Sequence, residues 1–196
     1  MKENTSMPAH AGDKVLFGFW VYLMSDVVLF ASLFATHAVL QGQTFGAPSI
    51  AELANLPFVL WETLILLTSS FTVGLTVYFA AKKRKVQTFL ALAATLALGA
   101  AFLSMELYEF AHLVKEGHGP WANASYSAFF TLVGTHGLHV FLGTVWGMLL
   151  VVQLMVWEAH ATVARRLMCF SLFWHFLDVI WIFIFTFVYL FGALQV

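Results

Sequence analysis

Eight side chains able to bind a proton or a metal lie at membrane depth in stretches that are otherwise hydrocarbon: Asp26, Glu62, Glu106, Glu109, His136, His139, His175 and Asp178, with His112 near the end of one stretch. The densest is 129–147, FFTLVGTHGLHVFLGTVWG. His136 and His139 are three apart, so on a helix they share a face, and Gly143 and Gly147 continue it. Small residues at that spacing let a second helix approach closely. One face is thus polar and small; the opposite face is Leu, Val, Phe and Trp.

Four chemistries fit these residue types. Imidazole and carboxylate suit zinc or iron, and the spacings His136-x-x-His139, His175-x-x-Asp178 and Glu109-x-x-His112 are ligand-like. A carboxylate-bridged di-iron site needs two Glu-x-x-His pairs and two more Glu at one depth. Here Glu109–His112 lies near one membrane surface and His175–Asp178 lies deeper, so no cage is expected and no metal is assigned. A haem held across two helices would use His136 or His139 with His175; a b-type cytochrome calls for more, at two depths. A stand-alone transporter or proton carrier is built from intramembrane Asp, Glu and His, but no inverted repeat or broken span accompanies them. The fourth reading is a buried hydrogen-bond network that fixes helix packing, and it needs nothing further. No phosphate loop, nucleophile elbow or HExxH occurs, so no catalytic residue is assigned.

The network reading follows from cost. A charge at mid-bilayer costs about 2.5–3.5 kcal/mol on insertion scales, so these groups are expected to face one another. Gly18, Tyr22, Ser25, Leu29, Ser32 and Thr36 form a stripe with Asp26 at its edge. Glu62, Ile65, Ser69, Thr72 and Thr76 form a second, and His175, Asp178, Ile182 and Tyr189 a third. Depth sorts the groups into two layers: Asp26, His139 and Asp178 near mid-membrane, and Glu62, Glu106 and Glu109 closer to the outer side.

The elements that must hold these residues are plain from composition. Of 196 residues, 61% are hydrophobic and 10% charged, against about 25% charged in soluble domains; this is a membrane protein. Five apolar segments, 15–40, 57–81, 86–112, 127–157 and 167–194, are long enough to cross about 30 Å of hydrocarbon as helices. The first is too long for a signal-peptide core and is read as a retained span. An all-α polytopic bundle of five transmembrane helices in a single domain, 1–196, is expected. The lone cysteine, Cys169, excludes an internal disulfide and a Cys-based metal cage.

Basic residues set the orientation. With five spans, Lys2, Lys14, Lys82, Lys83, Arg84, Lys85, Arg165 and Arg166 share one side, eight of the nine, and only Lys115 lies opposite. The N-terminus is therefore expected in the cytoplasm and the C-terminus in the periplasm. The 82–85 KKRK turn and Arg165-Arg166 read as topology signals and contacts for lipid head groups.

The segments also resemble a known family. THGLHVFLG (135–143), preceded by FFTLVG, is similar to the signature of subunit III of the haem–copper respiratory oxidases. SLFWHFLDVIWIFIFTFVYL (171–190) resembles that family's last helix, with its WHFxDxxW core. WVYLMSDVVLF (20–30) resembles the helix bearing the family's intramembrane acid, with Asp26 where many members have Glu. MELYEFAHL (105–113) matches the acidic end of a further span. The likeness runs from Phe17 to Gly192, and the five-helix form, with LMSD and LVGTHGLHV, is similar to subunit III of the cytochrome o-type ubiquinol oxidases. It implies an accessory subunit without a redox centre, one that stabilises sustained turnover of a proton-pumping terminal oxidase of the bacterial inner membrane. The oxidase converts ubiquinol and O2 to ubiquinone and water. The haems and copper would belong to subunit I, against which this chain would pack, with subunits II and IV in the complex and phospholipid bound between helices. Asp26 would also influence proton supply to subunit I.

Overall fold

The computed structural model describes residues 9–156 and 161–194. Lys2 and residues 157–160, where the fourth span was expected to end, lie outside them. The chain forms α1 (Ala9–Leu40), a single turn α2 (Ile50–Leu53), α3 (Leu56–Ala81), α4 (Lys85–Lys115), α5 (Ala124–Val156) and α6 (Ala161–Ile184). α6 runs on through a π-helical segment, Phe185–Leu190, into α7 (Phe191–Leu194). Five of these helical stretches are long and apolar enough to cross a membrane, and no strand occurs among the described residues.

Local chemistry sets the ends. Asn55 caps α3 by accepting from the Phe58 N–H, and Pro57 takes a first-turn position where its missing N–H costs nothing. Gly117, at φ +85°, closes α4, and the His118 N–H reaches the Leu113 carbonyl at 2.9 Å. The turn between α3 and α4 closes the same way on Lys83, at φ +56°, with Arg84 N–H donating to Phe79 O at 3.0 Å. α2 was not foreseen; it is one turn started by Ser49, which caps the Glu52 N–H and donates to the Glu52 carboxylate.

The bundle packs around α6. Trp174, Leu177, Trp181 and Ile184 are buried on it, against Phe102 of α4, Val59 and Leu66 of α3, and Phe129 and Val140 of α5. Inside lipid there is no hydrophobic drive between helices, so close packing must hold them. Glycines make the room. A Cβ on Gly99 would stand 2.7 Å from the Trp174 ring, and one on Gly137 would stand 2.5 Å from the Glu106 carboxyl. Gly143 faces Phe173 and Trp174, and Gly147 faces Leu96 and Phe170. The Trp174 ring cannot yield, because its Nε1–H is held by Ser69 Oγ at 2.9 Å. Gly99→Val is therefore expected to destabilise the bundle by about 1–3 kcal/mol or more, read as a lower unfolding midpoint in detergent.

Helix α1 corrects the expected stripe. Gly18, Tyr22, Ser25, Leu29, Ser32 and Thr36 are all exposed, while Leu23, Asp26, Phe30 and His37 are buried. The Ser and Thr hydroxyls of that stripe are satisfied within their own helix: Ser25 donates to Tyr22 O, Ser32 to Leu29 O and Thr36 to Ser32 O. A Ser or Thr bonded this way needs no partner across a helix interface, so the stripe carries no inward signal.

Candidate functional site

The eight ionisable residues fall into four separate places rather than two layers. The first is Asp26 with His139. Asp26 Oδ2 lies 3.9 Å from His139 Nε2, across the α1–α5 seam. His139 Nδ1 is 2.8 Å from the Thr135 carbonyl, which can only accept, so Nδ1 carries the hydrogen and Nε2 turns to the carboxyl. The ring lies against Phe30, with centroids 5.3 Å apart. Asp178 was expected in this layer, but no hydrogen bond or ion pair joins it to Asp26 or His139 among the described residues.

Asp178 instead belongs to the α3–α6 seam. His175 Nδ1 and Ser70 Oγ lie 2.6 Å apart, and the Asp178 carboxyl is within reach of both residues. Asp178 is buried, but His175 is exposed on the outer wall, as is Ile182. The expected face of His175, Asp178, Ile182 and Tyr189 is thus split. Tyr189 reaches the interior because the wider i→i+5 turns of the π segment advance fewer degrees per residue, which rotates it away from the face of Ile182. The same seam is stitched by the two indoles of the WHFxDxxW core, to which sequence reasoning gave no packing role. Trp174 donates to Ser69 and Trp181 to Thr63, the latter at 3.0 Å. A signal existed: the tryptophans are seven apart, and hydroxyl residues on α3 recur at nearly that spacing. Thr72 and Thr95, 2.8 Å apart, tie α3 to α4.

The third place is acidic. Glu62, Glu106 and Glu109 are buried within electrostatic reach of one another. Tyr189 donates to Glu109 Oε2 at 3.2 Å. Both oxygens of Glu62 and of Glu106 lack a hydrogen-bond partner among the described residues. Glu109 and His112 line a cavity of about 450 Å³ with Asn55 and Tyr108, while His112 itself is paired with Glu116, 3.4 Å away, at the surface.

His136 stands apart from His139 although they share a helix face. It is fully buried, with neither ring nitrogen hydrogen-bonded among the described residues. Trp181 stacks on it at 5.2 Å between centroids, and Phe102 meets it edge-on at 5.9 Å. This is an aromatic box rather than a ligand sphere. Among the described residues, no three His, Cys, Asp or Glu side chains converge as a metal site would require.

At one end of the bundle the basic residues gather. Lys82, Lys83, Arg84 and Lys85 are exposed; Lys82 lies over the Tyr78 ring, Lys85 reaches Met155 O at the end of α5, and Arg166 donates to Gln153 at 2.6 Å. At the other end an apolar groove of about 570 Å³, walled by Phe34, Ala38, Phe183, Phe187 and Phe191, shares His37 and Gln41 with a polar cavity of about 300 Å³. Tyr126 braces this end by donating to Pro48 O at 2.7 Å.

Comparison with known proteins identifies the family. The family model described as cytochrome c oxidase subunit III matches residues 3–193. The chain is 53% identical to cytochrome bo(3) ubiquinol oxidase subunit 3 of Pseudomonas aeruginosa, over 94% of this chain and 88% of that one. It is 38% identical to the protein of the same name from Buchnera aphidicola, over 98% and 99%, and 41% identical to a probable quinol oxidase subunit 3 of Staphylococcus aureus, over 93% and 92%. With its five membrane-length helices, and with a match that takes in all four ionisable places, the chain belongs to the cytochrome c oxidase subunit III family.

Proposed function

We propose that this chain is the third, accessory subunit of a quinol-oxidising haem–copper oxidase, and that it carries no redox centre of its own. The observation supporting this reading most is the state of its polar residues. Asp26–His139, Ser70–His175–Asp178 and the Glu62–Glu106–Glu109–Tyr189 group sit in separate seams between helices, and His136 is walled in by rings. Where these groups are bonded, at Ser70–His175 and Tyr189–Glu109, they join one helix to another, and they leave oxygen chemistry to another polypeptide. Relatives named as ubiquinol oxidase subunits support ubiquinol as the substrate of the complex. The haems and copper would lie in subunit I, packed directly against this chain in the bacterial inner membrane, with subunits II and IV completing the complex.

Phospholipid is the other proposed ligand. The groove of Phe34, Phe183, Phe187 and Phe191 suits acyl chains, and the polar cavity joined to it by His37 and Gln41 suits a head group. The KKRK turn and Arg165-Arg166 would contact head groups on the opposite leaflet.

Affinity purification through this chain tests the assignment. Haem-bearing partner subunits and quinol oxidase activity are expected in the eluate; purification of the chain alone, or transport by it alone in liposomes, would refute it. Orientation is tested separately. A cysteine at Lys83 is expected to react with an impermeant thiol reagent only from the cytoplasmic side, and one at Glu116 only from the periplasmic side. The reverse pattern would invert the topology.

A further inference from the structure

His175 is a polar residue in the wrong place for a chain surrounded only by lipid. About 18 Å of helix separates it from Val163, the start of its span, at 1.5 Å per residue. At that depth its side chain is nonetheless exposed on the outer wall. Nδ1 is engaged by Ser70 Oγ at 2.6 Å. Nε2 has no hydrogen-bond partner among the described residues. The tautomer does not remove the difficulty. If Ser70 donates to Nδ1, an N–H is left on Nε2; if Nδ1 donates to Ser70, a lone pair is left. Asp178, one turn along, has a buried oxygen, Oδ1, that is also unpartnered.

Hydrocarbon offers neither donor nor acceptor, and a polar group left unmet there costs free energy. Lipid head groups lie about 15 Å away, half the thickness of the core. The surface around the ring has the form of a helix contact. Phe71 on α3 and Met168, Val179 and Ile182 on α6 are exposed within two turns along the same faces. Gly74, a turn beyond Ser70, leaves open space for an approaching backbone. A small residue beside a hydrogen-bonding one is what transmembrane helices use to associate.

We infer that the His175 edge of the α3–α6 seam docks a transmembrane helix of another subunit, which places a hydrogen-bonding side chain against the imidazole at mid-membrane. Ser, Thr, Asn or Gln on the partner would serve either tautomer. The occupant is a polypeptide, because neither acyl chain nor head group meets the ring at this depth. The inference rests on the subunit assignment above and adds to it which wall is covered.

The test uses the intact complex with the photoreactive residue p-benzoylphenylalanine at position 179, exposed one turn from an unaltered His175, beside His175→Leu and His175→Gln. Irradiation is expected to join this chain to a second polypeptide. His175→Leu is expected to weaken retention of that polypeptide roughly three- to thirtyfold, the range for one intramembrane hydrogen bond, and His175→Gln to restore most of it. Adducts with lipid alone, or His175→Leu retained like wild type, in a complex that still carries haem, would overturn the inference and leave the subunit assignment standing. Purification of the unaltered chain without partners would overturn both.

Discussion

Trp181→Ala is expected to destabilise this protein more than any other single truncation. The side chain is fully buried. It stacks on His136, meets Phe102 edge-on at 4.7 Å between centroids, and donates to Thr63. Truncating a core Trp to Ala costs about 3–5 kcal/mol in water-soluble proteins. Here the lower end, about 3 kcal/mol, is expected, because transfer between core and lipid adds little and the loss is one of packing and of one hydrogen bond. Trp181→Phe keeps most of the packing and should cost roughly 1 kcal/mol. Unfolding in detergent followed by tryptophan fluorescence checks both. An Ala variant as stable as the Phe variant would show that the aromatic box around His136 does not hold the bundle.

Asp26→Leu is expected to act on function rather than folding. The Asp26–His139 separation of 3.9 Å exceeds a hydrogen bond, and intramembrane hydrogen bonds average only about 0.6 kcal/mol. Assembly of the complex should therefore survive. Asp26 is nevertheless carried by α1, the span with the smallest buried share of the five, and faces His139 of α5. Leucine abolishes the titratable group at that seam. The expected outcome is a normal initial rate of quinol oxidation that decays faster over repeated turnovers. Decay at the wild-type rate would make Asp26 purely structural.

These residues show what a sequence can and cannot disclose in a membrane. Length and hydropathy located five spans, because a helix is the only way for each apolar run to satisfy its backbone; the boundaries fell within three residues for α3, α4 and the start of α5. Glu62, Ser69 and Thr76 turned inward, as their stripe on α3 implied. The stripe on α1 misled, because Ser25, Ser32 and Thr36 bond to their own helix. A hydroxyl that can satisfy itself says nothing about which way it faces. Carboxylates and imidazoles cannot do so as readily, and Asp26, Glu62, Glu106, Glu109 and Asp178 are all buried. His175 is the exception, and its exposure is what singles it out. Depth was less legible. The π segment at Phe185–Leu190 re-aims Tyr189 toward Glu109, and nothing in the local sequence announces a change of helical pitch.

The oxidase reading came from ordered motifs rather than from spacing alone. His136-x-x-His139 by itself admitted a metal or a haem, yet in the fold one ring is boxed by Trp181 and Phe102 while the other turns to Asp26. Two histidines on one helix face serve two different neighbours because α1, α4 and α6 approach α5 from different sides.

The most direct test of the central claim, that this chain supports the oxidase without performing its chemistry, is quinol-driven oxygen consumption by the complex with and without this subunit, at equal haem content. The account predicts the same initial rate in both preparations and an earlier loss of activity in the depleted one. An initial rate of zero without this chain, or indistinguishable activity throughout the time course, would contradict it.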